Sequence, residues 1–297
     1  MANEKRAFRI MTSNIWGDYF GNPTTRREDQ LFTVYKRYDP DVIGFQEVTR
    51  AWHLSTLFPA LAEDYTLIGA GDAAGANYVP MAVKKDFSVI EQGYERLENT
   101  PDVSKAITWA VLERDGKVLG VCNTHFWWMK GNEDVVLRRN CGVEELSLDG
   151  HNELRADNAR QMTRIMTAIA QKYSCPVFGF GDMNSTIEEK VFAVYEQNGI
   201  DRLFEIAEDK DTVCSIHGDP KRGEDGWYHG QRETDEYLTW FRGRLQLTDV
   251  TVRPGYKTSI DHIVGLGDFK VKQYRIIEDQ EALDATDHSP VYADVLI

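Results

Sequence analysis

The chain has 297 residues, 42% hydrophobic and 28% charged, the balance of an ordinary folded protein rather than a disordered or collagen-like one. No apolar run approaches the ~18 residues needed to cross a bilayer, which excludes an integral helical membrane protein. Lys and Arg number 34 against 48 Asp and Glu, so the net charge is −14 and most of the surface repels polyanions such as long nucleic acid. A carboxylate excess also suits divalent-metal chemistry, although solubility alone accounts for it in most acidic proteins.

The start, Met1-Ala-Asn-Glu-Lys-Arg6, carries no apolar leader, and Cys122, Cys141, Cys175 and Cys214 form no C-x-x-C pair. Both features point to a cytoplasmic protein with buried or half-buried thiols. Phe8–Asn14 alternates apolar and polar residues as a half-buried strand does. Thr24 or Thr25 is placed to cap a helix over Arg26–Tyr38, where Leu31, Val34, Tyr35 and Tyr38 share a face and Pro40 stops it. Val42–Val48 reads as a strand, Ala51–Ala62 as a short helix, and Tyr65–Gly69, Tyr78–Lys84 and Lys105–Arg114 as strands. Gly69, Gly71 and Gly75 lack the Lys-Ser/Thr of a phosphate loop and read as a turn. Asp115-Gly116 turns the chain into Lys117–His125.

Phe126–Gly150 breaks the pattern and reads as a surface insertion. Asn152–Tyr173 is helical, with Ala159, Met162, Ile165, Met166, Ile169 and Tyr173 on one face. Val177–Phe180 is a short buried strand, Glu188–Asn198 a helix, and Ser215–Asp235 a second, Gly-rich loop insertion. Strands follow near Leu238–Arg242, Ile260–Val264, Val271–Ile277 and Val291–Leu296. No repeat or linker marks a boundary, so a single α/β domain is expected over 1–297, its sheets covered by helices.

Residues of catalytic type recur where these strands begin or end: Asn14, Gln46-Glu47, Asn123-Thr124-His125, Gly181-Asp182-Met183-Asn184, Asp261-His262 and Asp287-His288. Functional groups of α/β sheets collect in the crevice at strand ends. The set holds carboxylates, amides and imidazoles, with no Cys and no nucleophile–base triad. Hard oxygen donors suit Mg²⁺, Mn²⁺ or Ca²⁺ rather than a closed tetrahedral zinc site. A divalent cation with histidines fits attack of water on a phosphorus ester, where developing negative charge needs stabilising. Singly, each has a plainer reading: Glu47 a helix-cap neighbour, Asp182 a turn residue, Asn184 a cap, His125 a satisfied histidine, Asp287-His288 a structural pair. His53, His151, His217 and His229 lack ligand spacing and read as surface or loop residues, and His262 as a supporting one.

Taken in order, Asn14, Gln46-Glu47, Thr124-His125, Gly181-Asp182-x-Asn184, Ile260-Asp261-His262-Ile263 and Asp287-His288-x-Pro290-Val291 resemble the successive motifs of the endonuclease/exonuclease/phosphatase (DNase I-like) superfamily. The resemblance implies a four-layer α/β sandwich, two mixed sheets packed face to face with helices outside. It also implies Mg²⁺ or Mn²⁺, or Ca²⁺, held chiefly by Glu47 with help from Asn14, and Asp287 as a second metal-site carboxylate. By the same resemblance Asp182 would orient or deprotonate the attacking water beside Asn184. His125 and His288 would donate to phosphate oxygens, and Asp261 would hold the ring of His288. Trp16 stands where DNA-cleaving relatives often carry an acidic residue, which argues away from the apurinic-endonuclease branch.

Trp127 and Trp128 follow His125 closely, so they would either offer aromatic surface beside the phosphate or pack their own loop. Arg138 and Arg139 would clamp a second phosphate or stand as a solvated pair, and Trp227 and Tyr228 would wall the substrate. The expected activity is single-step hydrolysis of a small or medium phosphodiester or phosphomonoester. Cleavage of DNA or RNA is the alternative, and a non-catalytic binding protein of the same fold a distant one.

Overall fold

The computed structural model describes residues 7–70, 77–247 and 253–297; Gly71 and Gly75 of the expected turn lie outside the described residues. In chain order the first strands are β1 (Phe8–Asn14), β2 (Val42–Gln46), β3 (Tyr65–Ile68), β4 (Met81–Lys84), β5 (Ser88–Arg96), β6 (Ala106–Arg114), β7 (Lys117–His125) and β8 (Val177–Asp182). The C-terminal part adds β9 (Asp201–Arg202), β10 (Asp209–Lys210), β11 (Lys221–Arg222), β12 (Tyr228–His229), β13 (Asp261–Leu266), β14 (Lys270–Ile276) and β15 (Val291–Leu296). One large sheet has the order β10-β14-β15-β1-β2-β4-β3, the other β5-β6-β7-β8-β13-β9, and β11 pairs with β12 apart from both. Both large sheets are mixed: β1 lies parallel to β2 and antiparallel to β15, while β7 lies parallel to β8 and β8 antiparallel to β13.

The period-2 alternation of strand side chains sorts the core into layers. Ile10 and Val42 point between the sheets and meet Val121, Phe178 and Phe180 from the opposite sheet. Their neighbours Met11, Ile43 and Phe45 point outward onto Leu31, Val34 and Tyr35 of α1 (Arg27–Tyr38), with α2 (Arg50–His53) and α3 (Leu57–Leu61) beside it. On the other outer face Cys122 and Val177 pack against Ala159, Met162, Ile165 and Met166 of α5 (Leu148–Tyr173), which follows α4 (Val135–Asn140). The layers are helix, sheet, sheet, helix, the expected four-layer sandwich. Full burial of one Leu, Ile or Phe contributes roughly 1.5–3 kcal/mol, so these three apolar layers supply the driving force for the whole arrangement.

Several expectations change. The stretch at 238–242 is not a strand but part of α8 (Asp235–Arg244), which follows α6 (Lys190–Gln197) and α7 (Leu203–Ile206). Thr234 caps it, Asp235 and Glu236 sit in its first turn, Arg242 and Arg244 in its last, and Tyr237, Leu238 and Phe241 face inward. Residues 126–150 are not a plain surface loop. Asp134 caps α4, Ser147 caps α5 four residues earlier than expected, and Trp127, Met129 and Val143 form a small core of their own. Arg26 rather than a threonine occupies the N-cap of α1, whose first amides bond to the Thr24 carbonyl. Edge strand β5 and helix α9 (Gln280–Ala285) join the expected elements. His53, His151 and His217 are not surface residues but buried, at 2%, 0% and 1% exposure. No helix among the described residues is long and apolar enough to cross a membrane.

Candidate active site

Strand register carries the candidate residues to one place. Asn14 stands opposite Gln46 across β1 and β2, His125 opposite Asp182 across β7 and β8, and Asp182 opposite Asp261 across β8 and β13. The two sheets are tied directly beneath. Asn123 Nδ2 donates to the carbonyls of Phe45 (2.8 Å), Val79 (3.0 Å) and Pro80 (2.9 Å), and Gln46 Nε2 donates to Asn123 Oδ1 at 2.6 Å. Gly44 allows this approach, since a Cβ there would sit 2.3 Å from the Phe180 ring. Gly181, at φ +145°, is equally constrained: its Cβ would lie 2.0 Å from the Thr124 carbonyl oxygen.

Where the strands end, Glu47 (φ +63°), Trp16 (φ +54°) and Asn184 (φ +47°) all adopt left-handed backbone. Such conformations cost about 1–3 kcal/mol for most residues and concentrate at functional sites. Glu47 is held in that turn by its own side chain, whose Oε2 accepts from Gly17 N at 2.9 Å. Asn14 Nδ2 donates to Glu47 Oε1 (3.2 Å) and Asp182 Oδ2 (3.1 Å), while its Oδ1 accepts from Trp16 N at 3.0 Å. Asn14 therefore turns its nitrogen, not its oxygen, toward the two carboxylates. Asp182 Oδ1 accepts from Asn184 N at 2.8 Å, and His125 Nε2 lies 3.3 Å from Asp182 Oδ2. His288 Nδ1 lies 2.8 Å from Asp261 Oδ2. Thr286 Oγ1 donates to the Asn14 carbonyl at 2.8 Å, which fastens the last motif to the first.

Ligand atoms of Glu47, His125 and Asp182 lie within 4.8 Å of one another, as do those of Asp182, Asp261 and His288. The first group offers two carboxylates and an imidazole, half-buried Glu47 on strained backbone and buried His125 and Asp182 at strand ends, a donor set that fits a hard divalent cation. Asp287 belongs to neither group; its Oδ2 is 4.0 Å from His288 Nε2.

The cluster holds opposing charges out of water. Burial, followed by the negative charge of Asp261, raises the Asp182 carboxyl above its ordinary range. Burial likewise lifts Asp287 to about 7. For His288 burial opposes the proton, but Asp261 and Asp287 outweigh it and hold the imidazolium well above its usual range. His125 goes the other way: burial, with Lys105 and His288 nearby, drives it well below. A neutral His125 accepts at Nε2 from Lys105 Nζ, 2.8 Å away.

Lys105 is one of several site residues that sequence patterns do not flag. Ser215 Oγ donates to Asp261 Oδ2 at 2.6 Å, Arg244 Nη2 to Asn184 Oδ1 at 3.0 Å, and Lys130 Nζ to the Asn184 carbonyl at 2.6 Å. Buried Arg27 donates to the carbonyls of Ile15, Trp16 and Ala285, pinning the turn beneath Glu47; burial lowers it to about 10.

The aromatic and basic candidates fare differently. Trp127 offers no face to a ligand: it is fully buried, stacked on His151, and its Nε1 donates to His151 Nδ1 at 2.9 Å. Trp128 is half-buried beside it. Arg139 pairs with Glu144 at 2.7 Å and Arg138 reaches the carbonyl of the same residue, so both act within their own turn. Tyr228 is buried edge-on against Trp16, and Trp227 lies under the Arg26 guanidinium, 4.7 Å from its ring centre.

A family model described as the endonuclease/exonuclease/phosphatase family matches residues 11–288. The chain belongs to this family. Its members break phosphoester bonds, and the matched span runs from before Asn14 to His288 of the last motif. Among solved structures, the endonuclease/exonuclease/phosphatase from Bacteroides vulgatus is 21% identical, covers 99% of this chain and 100% of its own, and superposes with a TM-score of 0.69. A mannosyl-6-phosphatase of Bacteroides thetaiotaomicron is 17% identical over 98% of this chain and 100% of its own, TM-score 0.63. Truncated TDP2 of Caenorhabditis elegans is 17% identical over 98% of each chain, TM-score 0.62. At these identities the likeness is one of fold. No curated protein matches by sequence.

Proposed function

We propose that the protein is a divalent-metal-dependent hydrolase of small or medium phosphate esters, acting by in-line attack of water without a covalent intermediate. The observation that supports it best is the meeting of Glu47, Asp182 and His125 with the Asp261–His288 pair at the ends of strands from both sheets. Glu47, with the neighbouring oxygen of Asp182, is the place for Mg²⁺ or Mn²⁺. When bound, the cation neutralises charge that builds on the phosphate.

The remaining roles belong to the chain itself. Asp182, fixed by Asn14 Nδ2 and Asn184 N, takes the proton of the attacking water. The imidazolium of His288, steered by Asp261, donates to a phosphate oxygen, and the Lys105–His125 pair provides a second donor. Asp287 lies beside His288, its Oδ2 4.0 Å from the ring Nε2. A net charge of −14 and the burial of Trp127 favour small esters over a long nucleic acid strand.

The test is hydrolysis of p-nitrophenyl phosphate and bis-p-nitrophenyl phosphate with Mg²⁺ or Mn²⁺, before and after chelation, beside plasmid and oligonucleotide. Turnover of the small esters that stops on chelation is expected. Clear preference for plasmid would overturn the substrate reading, and activity indifferent to chelation would overturn the metal.

A further inference from the structure

Asn184, in the turn that follows β8, is 2% exposed and holds a left-handed backbone at φ +47°. Each of its four polar groups already has a partner in the protein. Its N–H donates to Asp182 Oδ1 at 2.8 Å and its Nδ2 to the Phe126 carbonyl at 3.2 Å. Its carbonyl accepts from Lys130 Nζ at 2.6 Å and its Oδ1 from Arg244 Nη2 at 3.0 Å. With a donor on Oδ1 and an acceptor on Nδ2, the amide has one orientation, and it is engaged with the protein.

Both cations come from segments outside the two large sheets: Lys130 from the turn after β7, Arg244 from the last turn of α8. The two segments are fastened to each other. Asn132 Nδ2 donates to the Gly243 carbonyl, and Gln246 Nε2 to the Lys130 carbonyl at 3.1 Å. Lys130 also bonds to Glu189, so part of its placement belongs to that carboxylate. Arg244 is different. Its side chain is 17% exposed, and its carboxylate neighbour Glu133 stands 3.6 Å away. Glu133 accepts instead from the amides of Lys130, at 2.7 Å, and Gly131, at 2.8 Å. Burial lowers the guanidinium pKa, and Glu133, Asp182, Asp287 and Glu189 oppose that. A guanidinium taken out of water to bond a neutral amide, with no carboxylate in hydrogen-bond contact, contributes little to stability. Its effect is on the turn it holds.

We infer that Arg244 is a positioning residue for catalysis: it locks the Asn184 turn, and the Asn184 N–H in turn fixes Asp182 Oδ1. The inference rests on the phosphoester-hydrolase reading, in which Asp182 is the base, and adds a residue that acts through another. Asp182 Oδ2 keeps its bond from Asn14 when the turn loosens, but the carboxylate is then held at one oxygen and free to swing.

The experiment measures kcat and KM on p-nitrophenyl phosphate with Mn²⁺ for wild type, Arg244→Ala and Arg244→Lys, with thermal unfolding of each. Dilute guanidinium chloride is added to Arg244→Ala, with the same concentration of NaCl as control, and amide hydrogen exchange is followed over residues 182–186. A misplaced reacting group costs up to about 100-fold, so kcat should fall by about 10–100-fold in Arg244→Ala. KM should stay within about twofold, because no substrate contact is lost. Guanidinium but not NaCl should recover part of kcat, exchange at Asn184 should quicken, and Arg244→Lys, which keeps a charged donor, should fall between. An unchanged kcat, or a loss carried by KM, would overturn the inference. So would a lower kcat that guanidinium does not recover and that follows the loss of thermal stability. If the alanine protein does not fold, the lysine variant decides: a lowered kcat at constant KM supports the role, and wild-type kcat or a raised KM overturns it. If the wild type hydrolyses no ester, the hydrolase reading falls, and exchange alone decides the lock: faster in Arg244→Ala upholds it, unchanged overturns it.

Discussion

Asp261 Oδ2 accepts from both Ser215 Oγ, at 2.6 Å, and the ring of His288, at 2.8 Å, so one carboxylate oxygen fixes the orientation and charge of the histidine. Asp261→Asn keeps the shape and removes the anion. The expected result is a kcat lower by about 10–100-fold with little change in KM, because the ring still occupies its place but no longer favours its proton. Steady-state kinetics check this, with circular dichroism to show an intact fold. An unchanged kcat would remove Asp261 from its positioning role.

Glu189 ties together two buried cations. Its carboxylate accepts from Lys130 Nζ at 3.0 Å, Arg155 Nη2 at 3.1 Å and Thr186 N at 2.7 Å. Burial opposes its ionisation, but Lys130 and Arg155 outweigh that and hold its pKa below the ordinary value. The sign follows: a depressed folded pKa gives stability that is full above the unfolded pKa of about 4.3 and is lost as pH falls through the folded one. Burial lowers Lys130 to about 7, so at neutral pH Glu189→Gln strands chiefly the Arg155 guanidinium and should cost about 3–5 kcal/mol. The gap to wild type should narrow in acid. Urea unfolding at several pH values measures it, and a gap independent of pH would contradict the assignment.

Asn123 satisfies three carbonyls and Gln46 at once between the sheets. Asn123→Ala removes these bonds from a dry interior, although Pro80 still accepts from Phe45 N at 3.0 Å and Gln46 Nε2 still donates to the Gly44 carbonyl at 3.3 Å, and should cost about 3 kcal/mol. Thermal unfolding should then shift down by roughly 6–12 °C. A shift below the scatter of replicate scans would show that the sheets do not depend on this contact.

Trp127 is a core residue, not a substrate platform, because it is fully buried and His151 takes its N–H. Trp127→Phe should lower stability by about 1–3 kcal/mol through the unpaired His151 nitrogen while leaving KM for p-nitrophenyl phosphate within twofold. A large rise in KM at unchanged stability would restore the aromatic to the site.

The strand ends were legible because each motif closes or opens a strand with a strong alternation or hairpin signal, and register then does the rest: Asn14 meets Gln46 and His125 meets Asp182 without any special loop. What stayed hidden reaches the site across sequence. Arg244 lies 60 residues from Asn184, Ser215 lies 46 from Asp261, and Lys105 lies 20 from His125, so no local pattern joins them. Two local misreadings have physical causes. Leu238-Thr-Trp-Phe-Arg242 is rich in strand-favouring residues, but the Thr234 cap and the charges at each end commit it to a helix. Strand β5 exposes most of one face at the sheet edge, and its charged residues and Gly93 mask the alternation.

The most direct measurement is the rate of p-nitrophenyl phosphate hydrolysis as Mn²⁺ is returned to chelator-stripped protein, with wild type and Glu47→Gln side by side. The expected result is activity that rises saturably with Mn²⁺ in wild type, and a variant that needs at least about 10-fold more metal, the scale on which weaker ligation acts. Identical metal curves for the two proteins, or full activity in the stripped enzyme, would contradict a cation held at Glu47.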